Sequence, residues 1–260
     1  MEETLVYKPK IVISGNFLEK IVYPDMSGFL RRPLSPILRD SDDADFHASE
    51  SRRISFLRAR SGLRRLLFAN SWAFHASSGR QYPPVFLTLT YRDKVFDLGE
   101  ANNEFQKFIQ RLNYQESLDL KYVSVPEFQK TGRVHHHNIL FNFPFVSLDR
   151  LRWIWGKGEQ MNIQKLRSLR SAGNYLSKYL AKGGDDSRFF RKRRYSPSEG
   201  LFKPIVITDP LAVESIEKRL PPMPDPFLLK FGGSYTARLL EKPFRLLDFE
   251  RPGFYARSRI

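Results

Sequence analysis

The chain has 260 residues, of which 43 are Lys or Arg and 28 are Asp or Glu, so its formal net charge is +15. Apolar residues make up 41% of the sequence, enough for a folded core, which argues against global disorder. Cysteine is absent, which excludes disulfides, thiolate zinc sites and cysteine nucleophiles. A folded chain with this charge favours a polyanionic partner, nucleic acid ahead of a membrane surface.

The first residues, MEETLVYKPK, lack the basic head and apolar run of a signal peptide. The longest stretch without a charged side chain runs only from Val134 to Leu148, which is too short for a transmembrane helix. We therefore expect a cytoplasmic protein with no membrane partner.

The N-terminal part predicts a hairpin and a basic helix. The hairpin extends from Ile11 to Val22, and a loop rich in Pro, Ser and Asp follows from Pro24 to Asp45. Apolar residues and arginines then alternate with helical spacing from Arg52 to Phe74. The arginine side is a solvated outer face in the favoured interpretation and a DNA contact in the other.

The middle of the chain predicts a sheet with helices packed on it. The expected elements are strands at Val85 to Tyr91, Tyr122 to Phe128 and Val134 to Phe143, and helices ending near Ser117, capped by Ser147, and from Ser171 to Lys182. This order is that of a ferredoxin-like or RNA-recognition-like α+β fold with a central antiparallel sheet. We expect an N-terminal extension over residues 1–84, a core over 85–204 and a C-terminal extension over 205–260 that packs on the core.

Three consecutive histidines lie on the third predicted strand. Because neighbouring side chains on a strand point to opposite faces, His135 and His137 share one face and His136 points away. The α-carbons of His135 and His137 would be about 7 Å apart, which suits one metal ion with a third ligand.

Glu127, on the preceding strand, is the candidate third ligand. An odd-length loop centred on Thr131 or Gly132 places Glu127 opposite His135 or His137, whereas an even loop would place it opposite His136. In the alternative interpretation, these polar residues simply decorate a solvated strand. The apolar flanks of that strand favour a specific partner for them.

A second group of functional candidates lies in AGNYLSKYLAKGG. Tyr175, Tyr179 and Lys182 are spaced i, i+4 and i+7, which places them on one helical face. In the simpler interpretation, both tyrosines are packing residues with their hydroxyls at the rim. In the chemical one, a tyrosine attacks a phosphodiester. Because a phenol is a poor nucleophile near neutral pH, that reaction needs a metal or a nearby cation such as Lys182 or Lys178.

The positive charge is concentrated in one segment. Residues 147–204 carry 14 Lys or Arg against 5 Asp or Glu, a net of +9, whereas residues 85–146 carry 7 of each. Within the basic segment, the run RFFRKRRY from Arg188 to Tyr195 interleaves cations with aromatic rings. That pattern suits single-stranded DNA, because cations follow the phosphates while rings stack on bases.

Three segments in order, VFLTLTY, EFQKTGRVHHHNILF and YLSKYLAK, resemble motifs one to three of the HUH endonucleases. They are most similar to rolling-circle replication initiators of small single-stranded-DNA phages and plasmids, and the resemblance covers Val85 to Leu201. It implies that His135, His137 and Glu127 bind the metal. It also implies that Tyr175 and Tyr179 are the nucleophiles of a two-tyrosine enzyme, assisted by Lys182. One departure is His136, since the residue between the metal ligands is usually hydrophobic.

The resemblance implies a metal cofactor, Mg²⁺ or Mn²⁺, and cleavage of one DNA strand through a 5′-phosphotyrosine intermediate. The freed 3′-OH primes synthesis, and a second cleavage recircularises the displaced strand. Expected partners are single-stranded DNA at a replication origin, a host helicase and a DNA polymerase. The residues expected to contact DNA are Thr88, Thr90, Arg188, Arg191, Lys192, Arg193 and Arg194.

Two alternatives stay open from the sequence. One is the same chemistry in a transposase or mobilisation relaxase. The other is a nucleic-acid-binding module without enzymatic activity, which would bind without cleavage and would tolerate replacement of His137 by Ala.

Overall fold

The computed structural model describes residues 7–24, 41–92, 95, 97–158, 160–166, 176, 187–189, 192–220, 224, 227–228 and 234–240. The chain divides into two units, one formed by Asp45–Phe202 and the other by Met1–Ala44 together with Lys203–Ile260. Each unit contains one antiparallel sheet, which confirms the α+β class. Within the described residues, no helix is long and apolar enough to cross a membrane.

The larger unit is built on a sheet with the strand order β6, β3, β5, β4, β7, in which all neighbours are antiparallel. Its strands are β3 (Val85–Thr90), β4 (Tyr122–Phe128), β5 (Val134–Leu140), β6 (Met161–Lys165) and β7 (Ser196–Pro197). Helix α2 (Leu98–Gln115) connects β3 to β4, and α3 (Leu148–Trp155) connects β5 to β6. This is the ferredoxin-like order predicted from the sequence.

Helices α2 and α3 begin at side-chain caps. The Asp97 carboxylate accepts a hydrogen bond from the Glu100 backbone N–H at 2.8 Å, and Ser147 caps α3 in the same way through Arg150. Helix α3 ends at Gly156, whose φ of 64° is left-handed and favours glycine. The predicted Ser147 cap is confirmed.

The two faces of this sheet carry different side chains. The α2 face presents Val85, Leu87 and Leu89 of β3 to the buried residues of α2 and α3. The opposite face, called the α1 face below, presents Phe86, Val123, Val125, Ile139 and Phe141 to Leu63 and Leu67 of helix α1 (Ser41–Asn70) and to Leu176. Strand alternation produces this division, since successive side chains point to opposite faces.

Helix α1 begins earlier than the sequence analysis predicts. It starts at Ser41, inside the segment expected to be a loop up to Asp45, and it ends at Asn70 instead of Phe74. The acidic residues Asp42, Asp43 and Asp45 lie near its start, where negative charge stabilises a helix N-terminus. The acidic composition therefore indicated a helix start, not a loop.

The smaller unit joins strands from both ends of the chain. The predicted hairpin is present as β1 (Tyr7–Ser14) and β2 (Phe17–Pro24). It pairs with C-terminal strands in the order β8, β1, β2, β10, β9, where the added strands are β8 (Ile205–Ile207), β9 (Phe227–Leu228) and β10 (Ser234–Leu239). Helix α4 (Pro210–Arg219) packs Val213 and Ile216 against the apolar side of β1. The sequence analysis did not predict these C-terminal elements.

Candidate metal and nucleic-acid site

The hairpin of β4 and β5 has the register that the candidate ligands require. Glu127 pairs with His135 across a five-residue connection centred on Thr131, so the loop is odd. The turn is closed by two backbone hydrogen bonds at Gln129, one from its N–H to the Arg133 carbonyl and one to its carbonyl from the Gly132 N–H, each 2.8 Å long. Glu127, His135 and His137 consequently lie on the same face of the sheet.

Glu127 and His137 form the closest polar pair of this group. Their Oε2 and Nε2 atoms are 2.5 Å apart, and both side chains are about nine-tenths buried or more. The other ring nitrogen of His137, Nδ1, lies 3.2 Å from the hydroxyl oxygen of Thr88, which faces His137 on β3. Phe86 stacks on the imidazole with ring centroids 5.9 Å apart. The ring is thus held on both edges and on one side.

His135 lies beside this pair and is only partly buried. Its ring centroid is 6.4 Å from that of His137, and its Nδ1 is 3.4 Å from the Gln129 amide nitrogen. Burial, followed by the neighbouring His137, lowers the pKa of His135, although Glu127 acts in the opposite direction. A lowered pKa favours neutral imidazole, the form that ligates metals.

His136 belongs to the core of the α2 face. It is fully buried, its Nδ1 lies 3.1 Å from the Ser124 hydroxyl, and its ring stacks on Phe105 with centroids 4.9 Å apart. Burial lowers its pKa to about 3, with partial compensation from a hydrogen bond to the Ala101 backbone. His136 therefore stays neutral near pH 7 and packs like the hydrophobic residue that the HUH motif usually has at this position.

The candidate ligands fit a metal in chemistry more closely than in their present geometry. Two imidazoles and one carboxylate are suitable donors for a divalent cation. Among the described residues, however, no three His, Asp or Glu side chains converge closely enough to hold a metal ion. Because Glu127 and His137 bond each other directly, a cation would have to replace that hydrogen bond.

The two threonines expected to contact DNA lie next to the histidines. Thr88 pairs with His137 and Thr90 pairs with His135 along β3. The Thr88 hydroxyl is used to position the His137 ring, a contact that the sequence analysis missed. The alternation of VFLTLTY places both threonines on one face but cannot reveal which strand lies alongside.

The predicted nucleophiles Tyr175 and Tyr179, together with Lys182 and Arg191, lie outside the described residues. Leu176, between the two tyrosines in sequence, is described and is fully buried on the α1 face. That is the face of the sheet that carries Glu127, His135 and His137.

The basic run is anchored by aromatic rings next to the candidate ligands. The guanidinium carbon of Arg188 lies 3.8 Å from the ring centroid of Phe128, the residue after Glu127. Phe189 is buried edge-to-face against Phe128, and the Arg194 guanidinium lies 5.5 Å from the Phe189 ring. The side chains of Lys192 and Arg193 are exposed.

Comparison with known proteins gives one match. Residues 84–184 match a family model for replication-associated proteins of the ORF2 type. This match supports a role in DNA replication. The matched segment begins at β3 and includes Glu127, the three histidines and both predicted tyrosines. Searches of curated proteins and of solved structures return no match.

Proposed function

We propose that this protein is a two-tyrosine HUH endonuclease and strand transferase that initiates and terminates rolling-circle DNA replication. The observation that carries the proposal is the buried Glu127–His137 pair, with His135 beside it, on one face of a ferredoxin-like sheet. The pair lies inside the segment that matches a replication-associated family. That match favours a replication initiator over a transposase or mobilisation relaxase.

Glu127, His135 and His137 would hold Mg²⁺ or Mn²⁺. A cation bound there would polarise the scissile phosphate and neutralise part of its charge. Thr88 would keep the His137 ring oriented, because it contacts Nδ1 and leaves Nε2 directed toward the carboxylate side. We place Thr88 in this positioning role in addition to the DNA contact expected from the sequence.

The chemical step belongs to Tyr175 or Tyr179. The phenolic oxygen attacks phosphorus, the bond between phosphorus and O3′ breaks, and the 5′ phosphate becomes linked to tyrosine. The phenol loses its proton and O3′ gains one, so the products are a phosphotyrosine and a free 3′-OH. Lys182 would stabilise negative charge near the tyrosine. Attack by a 3′-OH on the phosphotyrosine reverses the process and closes a circle.

The DNA strand would follow the basic segment. Thr90, Arg188, Arg191, Lys192, Arg193 and Arg194 are the proposed contacts. A host polymerase would extend the 3′-OH, and a host helicase would separate the strands ahead of it.

Metal-dependent cleavage tests this proposal. A pool of single-stranded DNA of random sequence, labelled at one end, is incubated with the full chain in Mn²⁺ or in EDTA. We expect cleavage in Mn²⁺, none in EDTA, and none with His137→Ala. His75→Ala is the matched control, because His75 is exposed and lies outside the site.

An independent measurement is Mn²⁺ binding followed by electron paramagnetic resonance in the absence of DNA. Binding should be lost or strongly weakened in His137→Ala and retained in His75→Ala. A protein that binds DNA but cleaves it neither in Mn²⁺ nor in Mg²⁺ would instead be a binding module, and the proposal would be wrong.

A further inference from the structure

A groove with an exposed tryptophan lies at the end of α3. It has a volume of about 490 Å³, and its described lining residues are Arg92, Arg152, Trp153, Gly156 and Gly158. The residues of α3 around Trp153 that face the core are buried, but Trp153 itself is 65% exposed. An exposed indole surrounded by cations is typical of a nucleotide-binding surface.

Trp153 is accessible from more than one direction. A second groove, with a volume of about 240 Å³, also includes Trp153 and is lined in addition by Arg111 and Lys157. The Arg150 guanidinium lies 4.8 Å from the centroid of the indole and is held there by an ion pair of 2.8 Å with Glu116. The guanidinium covers part of one face of the ring, and most of the side chain stays open to solvent.

The charge of the groove favours an anionic ligand. None of its described lining residues is acidic. The Arg92 side chain contacts only the Gly156 carbonyl, at 3.5 Å, and has no carboxylate partner within the described residues. Arg152 pairs with Asp149 at 3.3 Å in an exposed position, where such a pair contributes little and is easily exchanged for a phosphate.

The groove lies at the same edge of the sheet as the candidate metal ligands. Arg92 follows Thr90 by two residues, and Thr90 is paired with His135 on the adjacent strand. The connection after α3 is fixed to this edge, because the Arg92 N–H donates to the Lys157 carbonyl at 2.6 Å. With adjacent strands about 4.8 Å apart, the groove starts within a few nucleotide lengths of His135.

We propose that this groove binds one unpaired nucleotide of the DNA strand that the protein cuts. The base stacks on Trp153, and Arg92 and Arg152 contact the flanking phosphates. The location beside the cleavage site rests on the proposed function, whereas binding at the groove itself does not. The groove would hold the strand in place and would take no part in bond breaking.

Fluorescence anisotropy with a labelled oligothymidylate, in EDTA, tests the groove without any cleavage. Because stacking of one base is worth roughly 1–3 kcal/mol, Trp153→Ala should weaken binding about 5- to 150-fold. Trp153→Phe should retain most of the affinity. Arg92→Ala should weaken binding and reduce its salt dependence.

Two controls separate stacking from other effects. Phe145→Ala removes an aromatic ring that is 93% exposed and lies outside the groove, so it should bind DNA like the unmodified protein. A chain of abasic sites of the same length should bind the unmodified protein and Trp153→Ala equally, because no base is present to stack. Unchanged thermal melting of Trp153→Ala would show that its fold is intact, as expected for an exposed side chain.

The outcomes for the groove and for the nuclease are distinguishable. If Trp153→Ala and Arg92→Ala bind oligothymidylate like the unmodified protein, the groove proposal is overturned, even where Mn²⁺-dependent cleavage persists. If both variants lose affinity but the unmodified protein never cleaves DNA, the groove stands and the nuclease proposal fails. Equal loss of affinity for the abasic chain would overturn the stacking role.

Discussion

At the scale of single residues, the candidate site depends on how His137 is held. Its two ring nitrogens face Glu127 and Thr88, and this arrangement leaves the imidazole little freedom to turn. The shared face of Glu127, His135 and His137 could be predicted from strand alternation and loop parity. The Thr88 contact could not, because it depends on β3 lying next to β5 with Thr88 opposite His137.

Thr88→Val tests this positioning role, because it keeps the shape of the side chain and removes the hydroxyl. We expect metal affinity or cleavage rate to fall roughly 10- to 100-fold, as for other groups that orient a metal ligand. The measurement is the Mn²⁺ concentration that gives half-maximal cleavage. Thr90→Val, two residues along the same face, should leave that concentration unchanged even if DNA binds less tightly. An equal rise in both variants would contradict the role of Thr88.

His136 predicts a contribution to the pH dependence of stability. The unfolded chain binds a proton on this residue below its ordinary pKa of 6.5, but the folded chain binds it only near pH 3. The contribution is therefore present above pH 6.5 and is lost as the pH falls toward 3.

Replacement of His136 by Phe should remove this contribution. The free energy of unfolding, measured in urea between pH 6.5 and 4, should fall less steeply for His136→Phe than for the unmodified chain. The difference should correspond to about one proton taken up on unfolding. Identical slopes for the two proteins would show that the His136 proton does not control acid stability.

At the scale of elements, the sequence predicts the order of the larger unit well and its boundaries less well. The strands and helices from β3 to α3 appear in the predicted order, and α2, β4 and the start of α3 match closely. Their apolar periodicity is strong and local. Strand β6 was missed because MNIQK has little alternation, and it forms by pairing with β3. Such non-local pairing leaves no clear signal in a short segment.

Gly158 is required for the close approach between β3 and the connection before β6. A β-carbon at this position would lie 2.0 Å from the Thr90 carbonyl oxygen, a backbone atom that cannot move aside freely. We expect Gly158→Ala to destabilise the protein by about 1–3 kcal/mol or more, measured by urea unfolding.

Gly79→Ala is the comparison for Gly158. Gly79 has open space around its α-carbon but a φ of +76°, so alanine there should cost only about 1 kcal/mol through backbone strain. A loss at position 158 no larger than at position 79 would contradict the close-approach account.

At the scale of the whole molecule, the net charge of +15 is unevenly distributed. The segment 85–146, which contains β3, α2, β4 and β5, is neutral, whereas residues 147–204 carry a net of +9. Composition alone could predict an anionic partner. The sequence could not predict that strands from both chain ends share one sheet, because β1 pairs with β8 nearly 200 residues away.

The basic segment predicts how DNA binding depends on salt. Each phosphate contact with a single strand contributes about 0.7 to the slope of log affinity against log salt. Replacing the exposed Lys192 and Arg193 with Ala together should therefore reduce that slope by about 1.4 if both contact phosphates. Lys218→Ala, an exposed position in α4 of the smaller unit, is the control and should leave it unchanged. An unchanged slope in the double variant would place the DNA elsewhere.

The central claim is that a tyrosine attacks DNA next to the Glu127, His135 and His137 site. The direct measurement is mass spectrometry of the protein after reaction with single-stranded DNA and Mn²⁺, which locates any covalently bound nucleotide. We predict a nucleotide adduct on Tyr175 or Tyr179, abolished by Tyr175→Phe with Tyr179→Phe and unaffected by Tyr114→Phe, an exposed tyrosine on α2. An adduct that persists in the double variant, or cleavage with no adduct, would contradict the account.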